Sequence, residues 1–145
     1  MSVAHKGNPE NAMTTQASAP ALNINDLKRY SSEARVNLPL LRSKDLVTRM
    51  NCYEPGQVTP VHRHPDDDEI VFCVEGRGRI TFEGLDDVPI SPGSLVVLPA
   101  GIAHGIEAAA DSRMVVIYVI DAGYTSTREN TTAADAAIRL PGETP

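Results

Sequence analysis

From Lys44 onward the chain is written in short apolar runs cut by glycine and proline. DLVTRMNCYE (45–54) reads as a strand that stops at Pro55-Gly56, a turn pair. QVTPVHRH (57–64) is extended, and Pro60 assigns it to an edge or an irregular stretch, because proline cannot donate to a sheet ladder. EIVFCVE (69–75), then GRG, then RITFE (79–83) has the form of a β-hairpin. DVPI (87–90), SLVVLP (94–99), IAHGIEA (102–108) and RMVVIYVI (113–120) follow, and the last is the longest apolar strand. Runs of this length with turn residues between them predict an all-β sandwich or barrel. No long helical period interrupts them and no motif recurs, so the pattern predicts one barrel and not two.

The flanks differ. Residues 1–20 are rich in Asn, Thr, Ser, Ala and Pro without periodicity, and read as a flexible N-terminal arm. ALNINDLKRY (21–30) is expected to form a short strand followed by a helical turn, and the barrel is placed at 21–122. Residues 123–145 form a polar C-terminal tail, in which TTAADAAIRL (131–140) is expected to make a short helix before Pro141.

Composition narrows the partners. A chain of 145 residues suits a single domain with one core. The net charge of -6 argues against nucleic acid, whose binders present a basic face. No run approaches the length of a membrane span. The first twenty residues lack the apolar stretch of a secretory leader, so a cytoplasmic setting is expected. Cys52 and Cys73 have no metal spacing. They read as reduced, small core residues, with one of them lining a cavity as the alternative.

The histidines carry the chemistry. There are four, and His5 in the arm is set aside. His62 and His64 lie two apart on an extended segment, so they share a face. Glu69 follows after PDDD, which can loop to the next strand, and His104 follows the turn in PAGIAH. An isolated HxH is weak, a lone histidine is more often structural, and Glu69 alone reads as a solvated charge. Together, three imidazoles and a carboxylate make a mixed donor set that suits Fe(II), Mn(II), Ni(II), Co(II) or Zn(II) and selects none. Four protein ligands in an octahedral field leave two positions open, as a working site requires. Asp66, Asp67 and Asp68 lack the spacing and context of a calcium loop and read as a solvated turn that adds negative potential. GRG (76–78) lacks the rest of a phosphate loop and reads as a hairpin turn.

The spacing has a family form. Gly56, His62, His64, Glu69 and Gly76 are separated by five, one, four and six residues. Gly93, Pro99, Gly101 and His104 are separated by five, one and two. This pair of patterns resembles the two motifs of the cupin superfamily, and the chain is similar to its small single-domain members over about 45–120. One position departs: Ala108 stands where the second motif usually closes with Asn. The resemblance implies a double-stranded β-helix, or jelly-roll barrel, of the RmlC-like kind. It implies one divalent transition metal per chain, Fe(II) favoured, held by His62, His64, Glu69 and His104.

Cupins range from dioxygenases to lyases, isomerases and storage proteins, so the fold does not name the reaction. The leading expectation is an Fe(II)-dependent dioxygenase acting on a small organic molecule. A redox-neutral lyase or isomerase, with Tyr118 or Tyr53 as base, is the alternative, and a non-catalytic ligand-binding cupin is the third reading. If the ligands face inward, alternation turns Val71 and Cys73 with Glu69, and Ile102 and Ile106 with His104, toward an apolar cavity. Tyr118 either offers a catalytic hydroxyl there or packs in the core. Arg49 and Tyr53 are placed at the mouth, where Arg49 either holds an anionic substrate or points outward. A homodimer that covers exposed sheet edges is expected.

Overall fold

A computed structural model of the chain describes residues 21–128. The arm at 1–20 and the helix expected at 131–140 lie outside the described residues. Ten strands are present among them: β1 (Val36–Arg42), β2 (Leu46–Tyr53), β3 (Val58–Arg63), β4 (Glu69–Gly76), β5 (Gly78–Phe82), β6 (Leu85–Ile90), β7 (Leu95–Leu98), β8 (His104–Ala108), β9 (Met114–Asp121) and β10 (Thr127–Arg128). They form two five-stranded antiparallel sheets, ordered β1-β2-β9-β4-β7 and β10-β3-β8-β5-β6. The pattern of short runs predicts this all-β architecture, and the double-stranded β-helix is the form that the cupin resemblance implies.

Alternation decides what each strand buries. On β9, Met114, Val116, Tyr118 and Ile120 point into the main core, where they meet Val71 and Cys73 of β4 and Ile80 of β5. Strand β9 pairs with β2 on one side and β4 on the other, and it is apolar on both faces because a core cluster lies against each. Its opposite-phase residue Val115 joins a second cluster with Val36, Leu38, Met50 and Cys52 on the outer face of that sheet. Ile24 and Tyr30 cover that cluster. Farther along the same face, Ile70 and Phe72 of β4 and Leu95 and Val97 of β7 are exposed.

The structure departs from the sequence reading in three elements. Residues 21–30 contain no strand; Ile24–Asp26 is a single 3-10 turn, with the Asn23 side chain accepting from the Asn25 N–H at 2.9 Å. Strand β1 lies in a stretch to which the sequence reading assigned no element, and it contains Pro39 in VNLPLLR. The proline is tolerated because β1 is the outer strand of its sheet among the described residues, where it pairs with β2 alone. The second sheet also continues past residue 122, where β10 pairs with β3 through Thr127 and Arg63 and through Arg128 and His62.

Gly76 ends β4 with φ +76°. A Cβ built there would run into the carbonyl group of Arg113 and the Cα of Met114. Glycine is required for both reasons at once, the left-handed backbone and the close approach of the next strand. Among the described residues, no helix is long and apolar enough to cross a membrane.

Candidate metal centre

The two sheets bring the four residues together from separate segments. His62 on β3 and His104 at the start of β8 are direct cross-strand partners. Glu69 opens β4 in the opposite sheet. His64 lies one residue beyond the end of β3, so it is held by a loop and not by the ladder. That loop is tied to the PAG turn: the Gly101 N–H donates to the His64 carbonyl at 2.7 Å, and the Ala100 N–H donates to Asp68 Oδ1 at 2.8 Å. Asp68 therefore fastens the two motif loops, a more specific task than the solvated acidic turn read from the sequence.

His62, His64, Glu69 and His104 are all buried, and one donor atom from each lies within 4.8 Å of the others. The hydrogen bonds fix the tautomers. His62 Nδ1 donates to the Pro60 carbonyl at 2.7 Å, His64 Nδ1 to the Thr125 carbonyl at 2.8 Å and His104 Nδ1 to the Ile102 carbonyl at 3.0 Å. A carbonyl oxygen can only accept, so each Nδ1 carries a proton and each neutral ring presents a bare Nε2 lone pair. Backbone anchoring of the distal nitrogen is the usual way a metal-binding imidazole is oriented.

Glu69 Oε2 lies 3.1 Å from His64 Nε2 and 3.4 Å from His104 Nε2. Yet Glu69 Oε2 and His104 Nε2 are buried atoms without a hydrogen-bond partner among the described residues. Lone pairs and a carboxylate facing one another in a dry pocket repel unless a cation lies between them. The set thus fits one divalent transition metal, and its mixed N/O chemistry does not choose which.

The proton affinities agree. Burial and the neighbouring His104 push His62 down from 6.5 to about 3, so its ring is neutral at physiological pH. Burial opposes ionisation of Glu69, but hydrogen bonds and positive charge from His104 and His64 when those rings carry a proton on Nε2, the place a cation would take, outweigh it and hold the carboxyl at about 2. Burial also disfavours a charge on His64, but the facing Glu69 more than offsets this and the net shift is upward. A proton on His64 Nε2 and a metal compete for one position.

A cavity of about 30 Å³ adjoins the cluster, small enough to suit a compact ligand. Its wall differs from the apolar lining expected. Ile106 is the one aliphatic side chain among its lining residues; Arg35, Asn37, Asn51, Thr59, Tyr118, Tyr124 and Ser126 supply the rest beside His62, His64 and Glu69 of the cluster. Of the residues placed at the cavity from the sequence, the structure puts Ile106 and Tyr118 on its lining and leaves Arg49, Tyr53, Val71, Cys73 and Ile102 off it. Val71 and Cys73 do point inward with Glu69, but they pack in the main core with Ile80 and Val116. Cys52 is buried on the outer face of its sheet. Ile102 precedes β8, so strand alternation does not govern it.

The two tyrosines are also recast. The Tyr53 hydroxyl shares a 2.7 Å hydrogen bond with Thr59 Oγ1, and burial pushes it up to about 12. Burial raises Tyr118 well above its ordinary value of 10.0. Both keep their protons at neutral pH, which argues against either as a resting base. The polar wall was missed for want of strand β1. Asn37 and Asn51 sit directly opposite each other on β1 and β2. The available signal was an asparagine inside an apolar run, in VNLPL and again in RMNCY.

Comparison with known proteins follows the same lines. The family model described as a cupin domain matches residues 49–120. An uncharacterized protein of Streptomyces coelicolor is 30% identical over 82 residues, covering 56% of this chain and 76% of that one. An acireductone dioxygenase of Bacillus velezensis is 36% identical over 73 residues, covering 46% of this chain. The match spans only 41% of that enzyme. The crystal structure of an RmlC-like cupin protein from Desulfovibrio desulfuricans matches with a TM-score of 0.65 at 24% identity, covering 72% of this chain and 97% of that chain. At that identity the likeness speaks for the fold. Motif spacing, sheet order and family match coincide on one stretch of sequence, and the chain belongs to the cupin superfamily.

Proposed function

We propose that this cupin is an Fe(II)-dependent dioxygenase acting on a small organic molecule. The observation that carries the reading is the convergence of three tautomer-fixed imidazole lone pairs and one ionised carboxylate on a single buried point. The likeness to an acireductone dioxygenase over part of its length supports it. Iron, when bound, would supply the open positions at which dioxygen and substrate meet. The chain itself holds the donors rigid, excludes bulk water from the pocket and offers the Tyr118 hydroxyl to whatever enters.

A redox-neutral lyase or isomerase is the second reading, and Tyr118 favours it. A buried phenol on the cavity wall that keeps its proton is placed to deliver that proton to a leaving or enolate oxygen.

Purification without oxygen, followed by metal analysis and oxygen-uptake assays on small enediols and 2-oxo acids, separates the two. The dioxygenase reading expects about one iron per chain and oxygen consumed with turnover. Turnover indifferent to oxygen, with zinc, manganese or nickel in place, transfers the assignment to the second reading. No metal after reconstitution reduces the protein to a ligand-binding cupin. The homodimer and the cytoplasmic setting are carried in the same proposal. The exposed Ile70, Phe72, Leu95 and Val97 surface is the face two copies would share. Light scattering at micromolar concentration is expected to return twice the chain mass, and a monomer removes the dimer.

A further inference from the structure

We infer that Arg49, acting through Asn37, is a positioning residue that makes Tyr118 a fixed hydrogen-bond donor into the cavity, so that the substrate presents a carbonyl or carboxylate oxygen to it. This rests on the cavity being the substrate site, as proposed above, and names the kind of atom that Tyr118 meets there.

Sheet register builds the chain of contacts. Asn37 on β1 pairs with Asn51 on β2, and Arg49 on β2 pairs with Tyr118 on β9. Arg49 and Asn51 are two residues apart on one strand, so they share a face. Asn37, Asn51 and Tyr118 line the cavity, whereas Arg49 does not. Arg49 therefore acts from behind the wall.

The direction of each bond follows from one obligate donor. An arginine Nε–H can only donate. Arg49 Nε lies 2.6 Å from Asn37 Oδ1, so the oxygen of that amide is the atom that faces it. The two hydrogens of Asn37 Nδ2 then go to Asn51 Oδ1 at 2.8 Å and to the Tyr118 hydroxyl oxygen at 2.9 Å. Turning the amide over would set its oxygen against Asn51 Oδ1 and its nitrogen against the Arg49 donor, two mismatches in one buried network. Tyr118 thus accepts from Asn37, and its own hydrogen is directed elsewhere. Among the described residues Asn37 is its hydrogen-bond partner, and no second side chain takes that hydrogen. Tyr118 lines the cavity, so the hydrogen is offered to a ligand there. Burial also keeps the phenol protonated. A carbonyl or carboxylate oxygen satisfies such a donor. A ligand carbon at the same point leaves it buried and unpaired, which is how a polar site rejects a wrong ligand.

The test is calorimetric titration with acetate, whose oxygens only accept, with the metal content of each sample measured. Tyr118→Phe is expected to weaken acetate binding by about tenfold or more, because a hydrogen bond to a charged acceptor is lost. Asn37→Asp keeps the shape but sets an acceptor against Tyr118 and turns its hydrogen back into the wall, so a comparable loss is expected. The added charge contributes to that loss, and the same exchange made in Tyr118→Phe measures its share. There it is expected to cost about threefold or less, since no hydroxyl remains to be turned. Arg49→Met, which frees the amide to turn, is expected to weaken binding several-fold, and Arg49→Lys, which restores a donor, to recover most of it. Metal content is expected to stay unchanged across the set.

No acetate binding by the wild type, wild-type affinity in Tyr118→Phe or in Arg49→Met, or an equal cost of Asn37→Asp with and without the hydroxyl would each overturn the inference. If Arg49→Met does not fold, the cycle of Asn37→Asp and Tyr118→Phe still decides. The expected coupling in a protein that takes up no metal would sink the dioxygenase reading and leave the roles of Arg49, Asn37 and Tyr118 standing.

Discussion

His104→Ala is expected to cost the protein its metal and leave it folded. His104 is 2% exposed, and its Nε2 makes no hydrogen bond among the described residues. Removing the ring leaves a cavity, which costs on the order of a few kcal/mol. It also removes one lone pair from a pocket where Glu69 Oε2 sits 3.4 Å away, which offsets part of that cost. The effect on metal is far larger. Loss of an outer residue that merely orients a ligand weakens metal binding by about 10- to 100-fold, and loss of a ligand itself should exceed this. Metal content after dialysis, with thermal melts of the metal-free wild type and variant as the control, reads both quantities. Stoichiometric metal in a folded His104→Ala protein would mean that His104 is a structural histidine.

Gly76→Ala is expected to be among the most damaging single-methyl changes in the chain, with a loss of about 3 kcal/mol or more. The left-handed backbone alone costs about 1–2 kcal/mol for a residue with a Cβ. The rest comes from collision with backbone atoms of Arg113 and Met114, which cannot rotate aside. Met114 begins β9, the central strand of its sheet, so yielding there displaces β2 and β4 together. Gly56 supplies the comparison: its φ is +77°, but nothing lies within 4 Å of a built Cβ. Gly56→Ala should therefore show the backbone cost alone, about 1–2 kcal/mol. Urea unfolding of both variants separates the terms. Equal losses at the two positions would mean that the close approach of β4 to β9 contributes nothing.

The contrast between these two glycines also marks what a sequence can disclose. Both were legible as turn residues, because glycine punctuates the apolar runs. Only the folded chain shows that one of them has a neighbour. The same holds for the site. The four metal-binding candidates were readable because they are rare residue types at characteristic separations. The cavity wall was not, for three physical reasons. Strand β1 hides behind Pro39, which a sheet tolerates only at its edge. Parity correctly turned Val71 and Cys73 inward, but inward includes the core as well as the pocket. His64 is oriented by the Thr125 carbonyl, a group every residue possesses and no side-chain pattern announces.

Arg35 and Asn37 precede the matched family segment, and Tyr124, Thr125 and Ser126 follow it. The segment that identifies the chain therefore supplies all four of the residues proposed to hold the metal and only part of the wall around them. Exchange of the two ends between related genes would leave the metal-binding motifs intact and change what the pocket accepts. In such a protein, metal and substrate are inherited on different pieces of sequence. Two relatives with identical motifs are then no evidence of a shared reaction unless their flanks also agree.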